Sequence, residues 1–304
     1  MQPLLSLYAK SAFIRAFELH IAVAAEAGHV PGLVHLCCGA ELVEVALCDL
    51  LNGPKDQVTG SHRSHGLALA MGADATAVAA EILGRKGGLS KARGGTQHLS
   101  ASGNGFLASN GIVGAQVPIA AGAALSAKRA DAGGISAAFF GDGAANQGAV
   151  LETMNLAVAL ELPLLFVLEN NGLGQSTSTK YASGGADLLA RADSFGLKTA
   201  VMNGHDGADC VKVSADITGY VRTSGKPAFI EAHVPRLSGH YFGEKADYLA
   251  HHEANDPLAD LVEVLGEKAC ASVRADAEKA AHDAVSDALN MGEAPPEDLG
   301  ELTT

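Results

Sequence analysis

The stretch Ile135-Ser136-Ala137-Ala138-Phe139-Phe140, followed by Gly141-Asp142-Gly143-Ala144-Ala145-Asn146-Gln147-Gly148, decides how the chain is read. A short apolar run that stops abruptly at Gly and Asp reads as a buried strand delivering polar residues at its carboxyl end. The pattern returns at Leu164 to Leu168, which runs into Glu169-Asn170-Asn171-Gly172. Between the two runs Val150, Met154, Ala157 and Val158 keep a helical period, giving strand, helix, strand. Leu197 to Met202 and Ala228 to Val234 continue the alternation. This order predicts an α/β fold, a parallel sheet flanked by helices, with ligands bound outside the carboxyl ends of the strands.

Outward from this centre, Ile14, Phe17, Ile21 and Ala24 share one helical face. A second helix carries Leu42, Val45, Ala46 and Asp49 after a break at Gly39, so N-terminal helices are expected over about residues 4–55. From Pro257 the period is helical again through Leu258, Leu261, Leu265 and Val273. The Pro- and acid-rich end, about residues 292–304, is expected to be mobile. No repeat or linker divides the chain, and residues 1–304 read as a single domain. Ala101 to Ala127 carries no charge, but Asn104, Asn110, Gln116, Pro118 and several glycines oppose a membrane span. A buried loop and helix are expected there.

The formal charge of −13, from 21 basic against 34 acidic residues, opposes general affinity for nucleic acid or an anionic membrane. Hydrophobic residues make up 48% and aromatics only 5%, so the core must be built from small aliphatic side chains. Cys37, Cys38, Cys48, Cys210 and Cys270 form no C-x-x-C pair or zinc spacing, and no secretory leader is read before them. Reduced thiols and a cytoplasmic location are expected. No P-loop, nucleophile elbow or H-E-x-x-H helix is present, and the nearest dinucleotide fingerprint, from Gly103, has Ala108 at its third glycine.

Asp142 and Asn171, each closing a strand, can meet in space and offer hard oxygen ligands. Mg²⁺ takes one or two carboxylates and fills its octahedron with carbonyl, phosphate and water oxygens. Taken alone, Gly-Asp-Gly reads as a turn. Paired with Asn-Asn at the end of the next strand, it matches the thiamine diphosphate signature. Together with Ser61-His62-Arg63-Ser64-His65-Gly66, Gly84-Arg85-Lys86-Gly87-Gly88, Gly94-Gly95-Thr96-Gln97-His98, Asn110-Gly111-Ile112-Val113-Gly114-Ala115-Gln116 and Gly239-His240, it resembles the alpha subunit of the decarboxylating component of 2-oxoacid dehydrogenase complexes, a family that includes pyruvate, branched-chain and acetoin dehydrogenases. The resemblance spans about residues 36–248.

The resemblance implies the thiamine diphosphate-binding fold in its diphosphate-binding half, with thiamine diphosphate and Mg²⁺ as cofactors. Asp142, Asn171 and the carbonyl of Leu173 match the metal ligands. Arg63 and Arg236 match the arginines that grip the diphosphate, a task suited to a planar, always-charged fork. Gly111 and Val113 match main-chain contacts to the aminopyrimidine, while Gly141, Gly143 and Ala144 shape the adjoining loop and His62 stands beside the cofactor. His240 matches the active-site histidine, also at the cofactor, and His65 is expected to line the same mouth as a second catalytic residue. His98, in the Gly94 to His98 motif, is left open between a functional and a structural role.

In this family the ylide-forming Glu is carried by a beta subunit, so the resemblance also implies two alpha and two beta chains, a small carbonyl substrate and, as acceptor, a lipoyl-bearing acyltransferase. From Gly239 to Tyr248 the loop holds no serine, so the phosphoserine control of mammalian relatives is not expected there. His62 and Phe242-Gly243-Glu244 lean toward acetoin dehydrogenases, leaving pyruvate or another 2-oxoacid open. The competing readings are half of a split transketolase-type enzyme and a cofactor-binding scaffold without turnover.

Overall fold

The computed structural model describes residues 2–131, 133–185, 187–251 and 255–295. Its helices are α1 (Gln2–Glu26), α2 (Glu41–Cys48), α3 (His65–Ala70), α4 (Ala75–Ile82), α5 (Gln116–Arg129), α6 (Gly148–Ala159), α7 (Thr179–Ala182), α8 (Leu188–Ser194), α9 (Gly207–Ser224), α10 (Pro257–Leu265) and α11 (Glu267–Asn290). The strands are β1 (Gln57–Gly60), β2 (Phe106–Ser109), β3 (Ser136–Gly141), β4 (Leu164–Asn170), β5 (Leu173–Gly174), β6 (Thr177–Ser178), β7 (Lys198–Asn203) and β8 (Ala228–His233). Six of them form a parallel sheet in the order β2-β1-β3-β4-β8-β7, and β5 pairs with β6 in a small antiparallel hairpin.

Alternation along the central strands divides the core into two layers. Ala137, Phe139, Leu165, Val167, Ala228 and Ile230 pack with α1, α2, α9 and α11. Ala138, Phe140, Leu164, Phe166, Leu168 and Phe229 pack with α5, α6 and α8. A sheet buried on both faces needs apolar residues at every position, which is why these strands read as unbroken apolar runs. On the first face α1 lies along α11, and His20 of α1 meets Glu278 of α11 at 2.8 Å.

Local chemistry sets the helix ends. Asp206 caps α9 by accepting from the Ala208 and Asp209 N–H groups, and Gly225 ends it at φ +66°. Asp256 caps α10 with Pro257 behind it, and Gly266 at φ +85° separates α10 from α11. That break divides what the sequence reads as one helical pattern.

Because the strands are parallel and in register, their carboxyl ends form one rim. Gly141 pairs with Glu169, and Glu169 with Ala232, so the segments leaving β3, β4 and β8 emerge side by side. The strand order runs outward from β1 toward β2 and from β3 toward β4, which makes the β1/β3 boundary a switch point where the following loops part to leave a crevice.

Two expectations change. The uncharged stretch 101–127 is not wholly a buried loop and helix, because it also contributes β2, while Ile112, Val113 and Ile119 are exposed. Within the expected mobile end, Gly292 and Ala294 are tied to Lys86 and Gly84 by backbone hydrogen bonds of 2.8 and 3.2 Å. Residues 296–304 lie outside the described residues.

Candidate active site

A cavity of about 600 Å³ opens over the strand rim. It is lined from β1 by His62 and Arg63, from the loop after β2 by Gly111 and Val113, and from β3 by Gly141, Asp142, Gly143 and Ala144. The loop after β4 adds Asn171 and Leu173, and the segment after β8 adds Arg236 and His240. These twelve sequence-singled positions meet at one place although they span most of the chain. Gly111 stands where a Cβ would come within 2.6 Å of Gln97 Oε1, so main chain is bare at this wall.

Asp142 is buried, and Thr179, the first residue of α7, donates its hydroxyl to Oδ2. Burial pushes the Asp142 carboxyl up from its ordinary pKa, and the Thr179 hydrogen bond works against that rise. Asn171 accepts from the Leu173 N–H at 3.0 Å, which curls the loop back toward the strand end. Its neighbour Asn170 is used differently, donating to Glu231 at 2.7 Å and accepting from the Gly172 N–H at 3.0 Å.

Arg236 is buried and donates to the carbonyls of Leu173 at 3.0 Å and Gln175 at 3.2 Å. Partly buried Arg63 donates to the carbonyls of Leu36 at 2.5 Å and His240 at 2.9 Å. Among the described residues neither guanidinium hydrogen-bonds a carboxylate. Burial, and after it the nearby Arg236, lower the pKa of Arg63. Two partly desolvated cations facing one cavity, hydrogen-bonded to carbonyls and, for Arg236, to the Tyr248 hydroxyl at 3.4 Å, make a site that favours an anion with several oxygens.

The loop carrying His240 is pinned by its own residues. The His240 N–H donates to Glu244 Oε2 at 2.5 Å, the Tyr248 hydroxyl donates to the same oxygen at 2.7 Å, and Arg236 lies over the Tyr248 ring at 5.9 Å. His240 meets His62 and His35 edge to face, at centroid distances of 5.4 and 5.0 Å. Burial, followed by the charge of Arg63, lowers His240 and His35 to about 4 and His62 to about 3.

The sign of the resulting pH dependence follows directly. An unfolded histidine titrates near 6.5, so between about pH 6.5 and 3 these three histidines hold more protons in the unfolded chain than in the folded one, and their contribution to stability falls as pH falls through that window. The thermal midpoint of the full chain is expected to drop less steeply over this range in His62→Gln than in the parent. Parallel curves would show that His62 is not held neutral.

His65 is not brought to the cavity. It is fully buried, with Nδ1 at 2.9 Å from Glu18 Oε2 and Nε2 at 2.7 Å from Thr96 Oγ1. The ring therefore ties α3 to α1 and to the 94–98 loop, and it positions the segment that carries Arg63 instead of facing a substrate. His98 is exposed and does not line the cavity.

Three residues escape the sequence reading. His35 lines the cavity from a short apolar stretch with no motif around it. Thr179 reaches Asp142 only because the β5–β6 hairpin folds back. Glu169 reads as the end of a strand, yet it lines the cavity with Oε1 lacking a hydrogen-bond partner. Burial raises its pKa against the pull of Arg63, and the buried carboxyl of Glu44 is raised by burial and then by the charge of Glu169.

Comparison with known proteins gives a consistent picture. The family described as the dehydrogenase E1 component matches residues 9–298. The chain is 37% identical to the alpha subunit of acetoin:2,6-dichlorophenolindophenol oxidoreductase from Cupriavidus necator, over 85% of this chain and 78% of that one. It is 38% identical to the pyruvate dehydrogenase E1 component alpha subunit of Zymomonas mobilis, over 84% and 72%. The Bacillus subtilis acetoin:2,6-dichlorophenolindophenol oxidoreductase alpha subunit is 34% identical, over 95% and 89%.

Proposed function

Because the chain belongs to the dehydrogenase E1 component family, we propose that it is the alpha subunit of a thiamine diphosphate-dependent dehydrogenase that cleaves acetoin or a small 2-oxoacid. The observation that carries this reading is the pair Arg63 and Arg236, free of carboxylate partners, facing the same cavity as Asp142 and Asn171. Guanidinium forks and hard oxygens gathered on one strand rim fit a Mg²⁺-bound diphosphate. Asp142, Asn171 and the Leu173 carbonyl would hold the cation, and Arg63 and Arg236 the diphosphate oxygens. Since Arg236 donates to the Leu173 carbonyl, the two halves of the grip share one network.

When bound, thiamine diphosphate supplies the electron sink that lets a carbon–carbon bond beside a carbonyl break. The bare main chain at Gly111 and Val113 would let the aminopyrimidine approach, and Gly141, Gly143 and Ala144 keep the opposite wall narrow. His62 flanks the cofactor, and His240, neutral at neutral pH, can accept or return a proton at a reacting oxygen. His62 and Phe242-Gly243-Glu244 favour acetoin as substrate.

The lining carboxylates among the described residues are Asp142 and Glu169, so the Glu that acts on the cofactor's aminopyrimidine is assigned to a beta subunit. Ile112, Val113 and Ile119 are 72%, 49% and 42% exposed directly beside the cavity wall, an apolar edge suited to that partner. The assembly is two alpha and two beta chains in the cytoplasm, each alpha chain a single domain, with a lipoyl-bearing acyltransferase as physiological acceptor. No helix among the described residues is long and apolar enough to cross a membrane.

The test is cofactor-dependent reduction of dichlorophenolindophenol by the chain co-expressed with its beta subunit, with acetoin and a panel of 2-oxoacids. Absence of turnover with all of them would overturn the reading. In the same assay His240→Ala is expected to lower kcat by roughly 10²- to 10⁴-fold, the usual contribution of a general acid or base, with little change in cofactor affinity. A loss of affinity with kcat retained would make His240 a structural residue.

A further inference from the structure

The entrance to the cavity holds a second donor set of different chemistry. His35 precedes α2, His62 follows β1 and His240 lies beyond β8, yet one ligand nitrogen from each falls within 4.8 Å of the others. The rings of His35 and His62 are 4.5 Å apart between centroids and meet edge to face, as do His35 and His240 at 5.0 Å. His35 is only 5% exposed, and its Nδ1 has no hydrogen-bond partner. A buried ring nitrogen without a partner is costly, and a ligand that accepts its lone pair removes the cost.

We propose that His35, His62 and His240 bind one borderline transition-metal dication, with Zn²⁺ as the reference ion, at the mouth of the cavity.

Imidazole nitrogen suits Zn²⁺, Cu²⁺ or Ni²⁺, whereas Mg²⁺ demands oxygen, so this site and the Asp142–Asn171 oxygens select different ions. Zn–N distances of roughly 2.0–2.1 Å place the nitrogens of a tetrahedral site roughly 3.3 Å apart. The nitrogens, within 4.8 Å of one another, have to draw together by up to about 1.5 Å to reach that spacing. His62 and His240 are half-buried and can make this movement, while His35 stays fixed as the inner ligand. Three protein ligands leave a fourth position open, the arrangement of an exchangeable ion and not of a closed structural one.

Metal-binding imidazoles must be neutral, and these three stay neutral well below neutral pH. The charges facing the cluster are Arg63, which donates to the His240 carbonyl, Arg236, and the Glu244 carboxylate beneath the His240 N–H. The two guanidiniums oppose a dication and weaken its binding there.

The site shares His62 and His240 with the thiamine diphosphate reading but does not rest on it, and it is tested on the untagged full chain alone, without cofactor and stripped with chelator. Titration with Co²⁺ is expected to give one equivalent with the strong visible bands of four-coordinate cobalt, displaced by Zn²⁺ and unaffected by Mg²⁺. His35→Gln, His62→Gln and His240→Gln should each weaken Zn²⁺ binding by more than the roughly 10- to 100-fold that loss of an outer-shell partner costs. The exposed control His29→Gln should bind as the parent does. If His35→Gln does not fold, the other two variants decide. Absence of binding, parent-like affinity in the folded histidine variants, or sulfur-to-cobalt charge-transfer bands pointing to Cys38 would overturn the proposal.

Discussion

Asp142→Asn, prepared with the beta subunit, is expected to lose thiamine diphosphate binding in Mg²⁺ by more than the roughly 10- to 100-fold typical of an outer-shell metal partner, because it removes the one charged ligand offered to the cation. Asparagine keeps the volume of the side chain and an acceptor for the Thr179 hydroxyl, so the wall of the cavity should stand. Burial of Asp142 makes its charge expensive, and a cation that offsets this cost gains correspondingly from the carboxylate. Calorimetry with Mg²⁺ and thiamine diphosphate, beside a thermal midpoint showing that the variant is folded, checks the claim. Unchanged affinity would remove Asp142 from the cation site and with it the reading of the Gly-Asp-Gly loop.

The largest kinetic effect is expected from leaving the beta subunit out. The chain alone should exchange the thiazolium proton of thiamine diphosphate for deuterium no faster than free cofactor does, and addition of the beta subunit should restore rapid exchange. Asp142 is committed to the cation, and the remaining lining carboxyl, Glu169, is pushed toward its protonated form by burial. Exchange by the lone chain at the rate of the complete enzyme would sink the half-site assignment and point to Glu169. Glu169→Gln in the lone chain would then decide whether that carboxyl is responsible.

Most of the central sheet was legible because β3 and β4 are long apolar runs with polar residues at their exits, and β7 and β8 carry shorter apolar stretches, Ala200 to Met202 and Ala228 to Ile230. The strands β1 and β2 were not, since Gln57-Val-Thr-Gly60 and Phe106-Leu-Ala-Ser109 are four residues long and carry no decisive period; their strand character comes from neighbours supplied far along the chain. At the site, residues inside compact motifs, such as Arg63, Asp142 and Asn171, were legible. Contacts made by long-range folding were not. His65 and His62 look alike in Ser61-His62-Arg63-Ser64-His65-Gly66, but three positions on, at the start of α3, the ring turns inward toward Glu18 and Thr96. His35 had no pattern to announce it, because its role depends on where β1 and the segment after β8 bring their own histidines.

The pairing of α1 with α11 sets a timetable for the chain's biogenesis. Leu7, Tyr8, Phe17 and Ile21 of the first helix share one core with Cys270, Ala277, Ala281 and Val285 of the last. From the end of α1 at Glu26 to the start of α11 at Glu267 lie about 240 residues, which at about 5–20 residues per second take roughly 12 to 50 s to synthesise. Throughout that interval the apolar stripe of α1 is outside the ribosome without its permanent partner, the condition in which nascent chains engage chaperones or one another. Completion of this core therefore waits for α11, and a truncation that spares every residue of the cavity but removes α11 strips α1 of its partner.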